Sequence, residues 1–462
     1  MKKILILLSA FFILIAPVRA QNANRDKFIA DSLTTYINRA LTNWRIPGAA
    51  VCIVKDGKVV FMKGYGIKEL GLNNKVDENT LFMIGSNTKA FTATALAILA
   101  AEKKLSFDDK VTKYIPEFKL ENKPATELVT VRDLLCHRLG FQTFQGDFTF
   151  YNSNLSRSDI IGRMDLIKAP YEFRTKWGYT NSAFLTAGEI IPKLTKQNWD
   201  IYLKEKIFAP LGMGNTLGLS VAMQKAINRT VPHTIFDGRL IAIPYANLDN
   251  MAPAMSISST ANDMSKWVLA LLDDGRVGKR QVIPEAAIQA TRQAQDIVGS
   301  VTHLDGETNY QLYGLGWFLQ DYHNHRIVMH DGGVSGYVSS VTLVPKEKLG
   351  IVILTNTDQN SLYDALRWEI MDAYFKLPYR NYSDAYLKDQ KKYNTDEMAT
   401  DKKLRDSVLL NPRTAQSISY YTGKFTNPLY GTVTIAMAEN NTLDMRFEHH
   451  PKMFARLQPL GG

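Results

Sequence analysis

Apolar residues recur at helical spacing from Phe28 and Ile29 through Leu33, Tyr36, Ile37, Ala40 and Leu41 to Trp44, which predicts a helix over residues 28–45. Ile46-Pro47-Gly48 ends it. Residues 49–66 then form two extended runs around Asp56-Gly57, the turn chemistry of a tight hairpin. From Leu81 to Ala100 the chain is apolar on nearly every side of a helix, the mark of a helix buried inside a domain. Residues 129–141 predict a short helix closed by Gly140, with His137 as a helix-end residue beside Cys136. The aromatic, Asn- and Gly-rich stretch 142–155 predicts a loop that shapes a cleft. Strand character is missing from about 110 to 250, so an all-helical insertion is expected there. Residues 254–275 predict a capped amphipathic helix with Met264, Trp267, Val268, Leu271 and Leu272 inward. Apolar, β-branched runs follow at 313–322, 325–333, 336–345 and 349–356, as expected of successive antiparallel strands, and then a last helix over 361–375.

This pattern is α+β: an antiparallel sheet flanked by helices, in a main domain over residues 21–380. Residues 381–415 are rich in charge and poor in large apolar groups, which predicts a linker, partly helical. The remainder, 416–462, predicts three or four short strands with a turn at Asn440-Asn441. So short a unit has a thin core, so it is expected to be incomplete or docked on the main domain.

The first twenty residues add a compartment. Lys2 and Lys3 precede an apolar core from Ile4 to Ile15, with small residues near Val18 and Ala20: a secretory signal peptide, cut before Gln21. A periplasmic or secreted protein is expected, with no transmembrane helix in the mature chain. The formal net charge of +10 changes the picture little, because Lys and Arg are scattered and form no basic stripe with aromatics. Nucleic acid is therefore excluded as an expected partner. Cys52 and Cys136 lie in apolar segments, where a disulfide and two buried thiols are both open.

Candidate chemistry centres on Ser86 and Lys89. Three residues along a helix brings both side chains to one face, and burial would strip the lysine of its proton so that it can activate the hydroxyl. No other Ser-x-x-Lys occurs in the chain. Tyr179-Thr180-Asn181 offers a phenol for proton transfer and an amide to hold a substrate carbonyl. His330-Asp331-Gly332-Gly333 follows a strand, where glycines let a substrate lie close to the backbone. No His-Glu-x-x-His is present, and His323-x-His325 and His449-His450 lack a third ligand at metal spacing, so neither metal nor cofactor is expected.

Ser86-Asn87-Thr88-Lys89, Tyr179-Thr180-Asn181 and His330-Asp331-Gly332 resemble, in order and wide separation, the three motifs of the penicillin-recognising serine hydrolases. The Tyr-x-Asn form is similar to the class C β-lactamase, D-alanyl-D-alanine carboxypeptidase and esterase branch, over about residues 28–378. The resemblance implies the β-lactamase/transpeptidase-like fold and an acyl-enzyme on Ser86. It makes Lys89 the proton acceptor and Tyr179 the partner base and later acid. Asn181, His330, Gly332 and Gly333 would bind a small-molecule, peptide or ester substrate, with the amides of Ser86 and Gly333 as oxyanion hole. His330 stands where many relatives have Lys, so a fixed positive charge for a substrate carboxylate is missing. A peptidase or esterase is therefore expected; the alternative is a penicillin or wall-peptide sensor that acylates without efficient turnover.

Overall fold

The computed structural model describes residues 28–410, 412–439 and 442–460. The expected signal peptide and the expected turn at Asn440-Asn441 lie outside the described residues. The hairpin pairs β1 (Gly48–Lys55) with β2 (Lys58–Gly66). Asp56 and Gly57 turn it with φ of 51° and 75°, the positive values that match a two-residue turn to the twist of its strands.

Six later strands complete the sheet: β3 (Asp296–Thr302), β4 (Thr308–Tyr313), β5 (Phe318–Tyr322), β6 (His325–Val334), β7 (Tyr337–Val344) and β8 (Leu349–Thr355). The order is β2-β1-β8-β7-β6-β5-β4-β3, antiparallel throughout, so the first hairpin closes onto the last strand. The expected antiparallel sheet is therefore present, wider by the edge pair β3–β4. Their half-exposed residues and Gly299 give those two strands a weak apolar signal.

The helices that frame the site are α1 (Leu33–Trp44), α2 (Thr88–Ala101), α3 (Val131–Leu135), α4 (Asn181–Thr195), α5 (Ala252–Met255), α6 (Ala261–Leu272), α7 (Leu362–Phe375) and α8 (Tyr382–Leu409). Two cores result, one on each face of the sheet. Val51 and Ile53 of β1 pack with α1 and α7, whereas Ala50, Cys52 and Val54, one step out of phase, pack into the body that holds α2 and α6. Every residue of α2 from Thr88 to Leu99 is buried, and its alanines let neighbouring elements approach closely. Cys52 and Cys136 are separate buried thiols.

Two expectations need correction. The insertion is not all helical: His233–Phe236 and Arg239–Ala242 form a hairpin across Asp237-Gly238, with strands too short to show a period of two. Residues 382–409 form one 28-residue helix, whose first turns pack Tyr382, Tyr386 and Leu387 on the α1 and α7 core and whose remainder is largely exposed, rather than a partly helical linker. Lys, Glu and Asp with few apolar groups describe an exposed helix as well as a linker, and local propensity decides between them.

The C-terminal unit is a four-stranded antiparallel sheet, Gly423–Asn427, Gly431–Met437, Leu443–Phe447 and Phe454–Leu457. It docks on the 142–155 loop. His450 stacks on Phe148 with ring centroids 4.1 Å apart, and its Nδ1–H donates to the Tyr151 carbonyl at 2.8 Å. Arg163 donates to the Leu429 carbonyl at 2.6 Å.

Candidate active site

Ser86 sits in a single 3-10 turn, Gly85–Asn87, that leads into α2. The turn is held from behind by β7: Asn87 Nδ2 donates to Ser339 Oγ at 2.8 Å, and Ser339 Oγ donates to the Ile84 carbonyl at 2.7 Å. Gly85 has φ of 51°, and a Cβ there would lie 2.9 Å from the Gly333 nitrogen. Gly332 is tighter still, since a Cβ would come within 1.9 Å of the Ile84 carbonyl oxygen. The turn and the end of β6 thus meet backbone to backbone. Gly332→Ala is expected to lower stability by about 1–3 kcal/mol through overpacking, read as a fall in Tm with loss of turnover.

One helical turn on, Lys89 is fully buried. Its Nζ lies 2.7 Å from Asn181 Oδ1, 3.0 Å from the Ala254 carbonyl of α5 and 3.1 Å from Ser86 Oγ. A neutral amine has two N–H donors and one lone pair. The two oxygens that can only accept take the donors, so the lone pair is left for the Ser86 hydroxyl. Burial pulls the Lys89 pKa down to about 7, against an opposing pull from Asp147. The neutral form is therefore well populated at neutral pH.

Tyr179 arrives on the segment ahead of α4, with its ring 4.7 Å from Lys89 Nζ and its side chain hydrogen-bonded to Ser86. Burial, reinforced by Asp147 and Asp331, pushes its pKa well above the usual tyrosine value. It stands as a neutral phenol. Of the two expected bases, only Lys89 is tuned to accept a proton near pH 7.

His330 and the glycines close the far wall. The His330 Nδ1 is 2.6 Å from the Asp331 carbonyl, which only accepts, so Nδ1 carries the hydrogen. Nε2 then accepts from the Tyr313 hydroxyl at 3.1 Å. Both ring nitrogens are engaged within the protein, and burial, with the Lys89 charge, lowers the His330 pKa to about 4. The ring contributes a neutral surface. Asp331 beside it is pinned by the buried Arg367 of α7. The Gly333 Cα faces open space, with nothing within 4 Å of where a Cβ would be.

Two participants were not expected from the sequence. His137 is not an ordinary helix end: it is fully buried, tilted under Tyr179 at 4.3 Å, and its Nδ1 accepts from the Thr180 amide at 3.0 Å. Its φ of 64° breaks the helix there and drives the ring inward. Asp147, in the 142–155 loop, accepts from Asn181 Nδ2 at 2.7 Å. Burial raises its pKa to about 7, while Asn181 and Lys89 hold it down.

These groups open into a cavity of about 710 Å³. Its wall includes Phe144, Phe148, Tyr151, Trp177, Phe318 and Tyr363. Asp147, Asp331 and Asp358 also line it, and among the described residues no Lys or Arg does.

The family model described as Beta-lactamase matches residues 33–375. The chain belongs to the beta-lactamase family. The match spans the sheet and every site residue above. This family member is similar to the unguisins hydrolase ungD' of Aspergillus campestris, at 28% identity over 426 residues, covering 88% of this chain and 78% of that protein. It is 29% identical over 329 residues to protein flp of Staphylococcus aureus strain COL, covering 70% of this chain and 62% of flp. Among solved structures, the octameric penicillin-binding protein homologue from Pyrococcus abyssi superposes with a TM-score of 0.67 at 19% identity, over 93% of this chain and 90% of that one. A D-stereospecific amidohydrolase from Streptomyces sp. superposes with a TM-score of 0.57 at 19% identity, over 74% of this chain and 95% of that one. The fold is β-lactamase/transpeptidase-like, with a four-stranded sheet appended. Within the described residues no helix is long and apolar enough to cross a membrane.

Proposed function

We propose that this beta-lactamase-family serine hydrolase opens amide or ester bonds through an acyl-enzyme on Ser86, in substrates that carry no carboxylate at the position faced by His330. The observation that carries this is the arrangement at Lys89: its Nζ lies within hydrogen-bond distance of two pure acceptors, Asn181 Oδ1 and the Ala254 carbonyl, and of the Ser86 hydroxyl, so the neutral amine that donates to the first two keeps its lone pair for the third. Lys89 takes the Ser86 proton as the oxygen attacks the substrate carbonyl. Tyr179, a neutral phenol bonded to Ser86, passes a proton to the leaving amine or alcohol. The amides of Ser86 and Gly333 receive the oxyanion, and the open space at Gly333 gives the substrate backbone room at the end of β6, whereas Gly332 is packed against Ile84. Asn181 positions Lys89 with its Oδ1. Water then releases the acyl group by the reverse proton path.

The cavity wall supports the substrate class. Aromatic side chains suit an apolar acyl group, and the described lining, which holds no Lys or Arg, offers no fixed cation to an anionic substrate. The name of one relative, an unguisins hydrolase, agrees with hydrolysis, and that of one structural neighbour, a D-stereospecific amidohydrolase, with amide cleavage. Export of the mature chain, on the strength of Met1–Ala20, completes the proposal.

Intact-protein mass spectrometry with short-chain nitrophenyl esters, neutral peptide amides and a fluorescent penicillin tests the reading. A transient acyl adduct that clears during turnover of neutral substrates is expected. An adduct that forms once and persists on every substrate would identify a sensor instead. For His330→Lys, the ratio of kcat/KM on carboxylate-bearing over neutral esters is expected to rise about 10-fold. A flat ratio would remove the charge argument.

A further inference from the structure

Asn181 has two polar ends, and the chain uses both. Its Oδ1 faces Lys89 at 2.7 Å and its Nδ2 faces Asp147 at 2.7 Å. The direction of this amide matters to the base. Turned over, it would present Nδ2 to Lys89, and a neutral amine would then accept that N–H with the lone pair that otherwise meets Ser86. An acceptor fixed on the far side of the amide prevents the flip. Gly146, with φ of 86°, turns the loop into the 3-10 turn Asp147–Thr149 that aims the carboxyl at Asn181.

We infer that Asp147 is a positioning residue: it locks the orientation of the Asn181 amide and so directs the Lys89 lone pair at Ser86. This rests on the proposed serine mechanism and adds to it a group on a loop outside the three motifs. The other titratable groups near Lys89 do not compete for the role. His137, from the end of α3, and His330, from β6, are buried and held neutral. Tyr179 is a neutral phenol, and Asp331 is paired with Arg367. Among the described residues Asp147 is left as the acid whose charge reaches the amine, and that charge raises the amine's proton affinity.

Asn and Ala at position 147 separate the two effects. Asp147→Asn keeps an acceptor for Asn181 but removes the charge; Asp147→Ala removes both. In nitrophenyl ester hydrolysis, Asp147→Ala is expected to lower kcat by about 10- to 100-fold. Asp147→Asn should recover at least about 10-fold of that loss, and move the acid limb of kcat/KM to lower pH by about half a unit or more, because Lys89 loses its nearby anion. Equal kcat in the two variants, or an acid limb in Asp147→Asn that coincides with the unsubstituted protein, overturns the inference. Thermal melting checks that both variants fold; if Asp147→Ala does not, the acid limb of Asp147→Asn decides alone. Activity in Ser86→Ala would sink the underlying mechanism, whereas an inactive Ser86→Ala with unaffected Asp147 variants would sink only the role of Asp147.

Discussion

Ser86→Ala is expected to lower kcat/KM on short-chain nitrophenyl esters by about 10⁴-fold or more and to abolish the acyl adduct in intact-mass spectra. The expected size follows from the geometry. The Ser86 hydroxyl meets both the Lys89 amine and the Tyr179 phenol, the two groups that move its proton. Residual rate comes only from substrate binding and the backbone donors of the turn. The fold should not suffer. Gly85–Asn87 is held by Asn87 and Ser339 rather than by Ser86, so the melting temperature is expected to stay within a few degrees of the unsubstituted value. Activity within 10-fold of the original would remove the assignment.

Lys89→Arg is expected to cost about 10³-fold in kcat/KM, with acylation rather than deacylation slowed first when single turnovers are followed. A guanidinium does not release its proton at any working pH, and at the fully buried Lys89 site it would carry a charge out of water. The same argument fixes the pH dependence of the unsubstituted protein. Lys89 must be neutral to act, and its pKa is pulled to about 7, so kcat/KM should rise from pH 5 to a plateau above about 8. Asp147 titrates in the same range, so the limb belongs to the pair rather than to either residue. Loss of the limb in Lys89→Arg, together with loss of rate, is the joint expectation. A variant that keeps both would show that the lysine is not the base.

The three motifs were legible because each is local: Ser-x-x-Lys needs one helical turn, Tyr-x-Asn one helix start, and His-Asp-Gly-Gly one strand end. Their meeting was legible only through resemblance, since it depends on β6 reaching beyond its pairing with β5 to touch the Gly85 turn. Asp147 and His137 were hidden for a different reason. A single Asp in an aromatic loop and a His beside a Cys carry no period and no spacing, and their roles come from contacts across the chain with Asn181, Thr180 and Tyr179. The role of His330 was only half visible. Its neutrality follows from residue type, but the engagement of both ring nitrogens needs Tyr313, which lies on another strand.

The docked C-terminal sheet gives that loop a mechanical backing. Phe148 follows Asp147 directly in the chain and is clamped between His450 on one face and the edges of Phe447 and Tyr430. The tail thus acts as a splint: the carboxyl that steers the amide, and through it the nucleophile's base, inherits its rigidity from a sheet that contributes no atom to the reaction. Drift in that small sheet would be felt as slower bond cleavage before it was felt as unfolding.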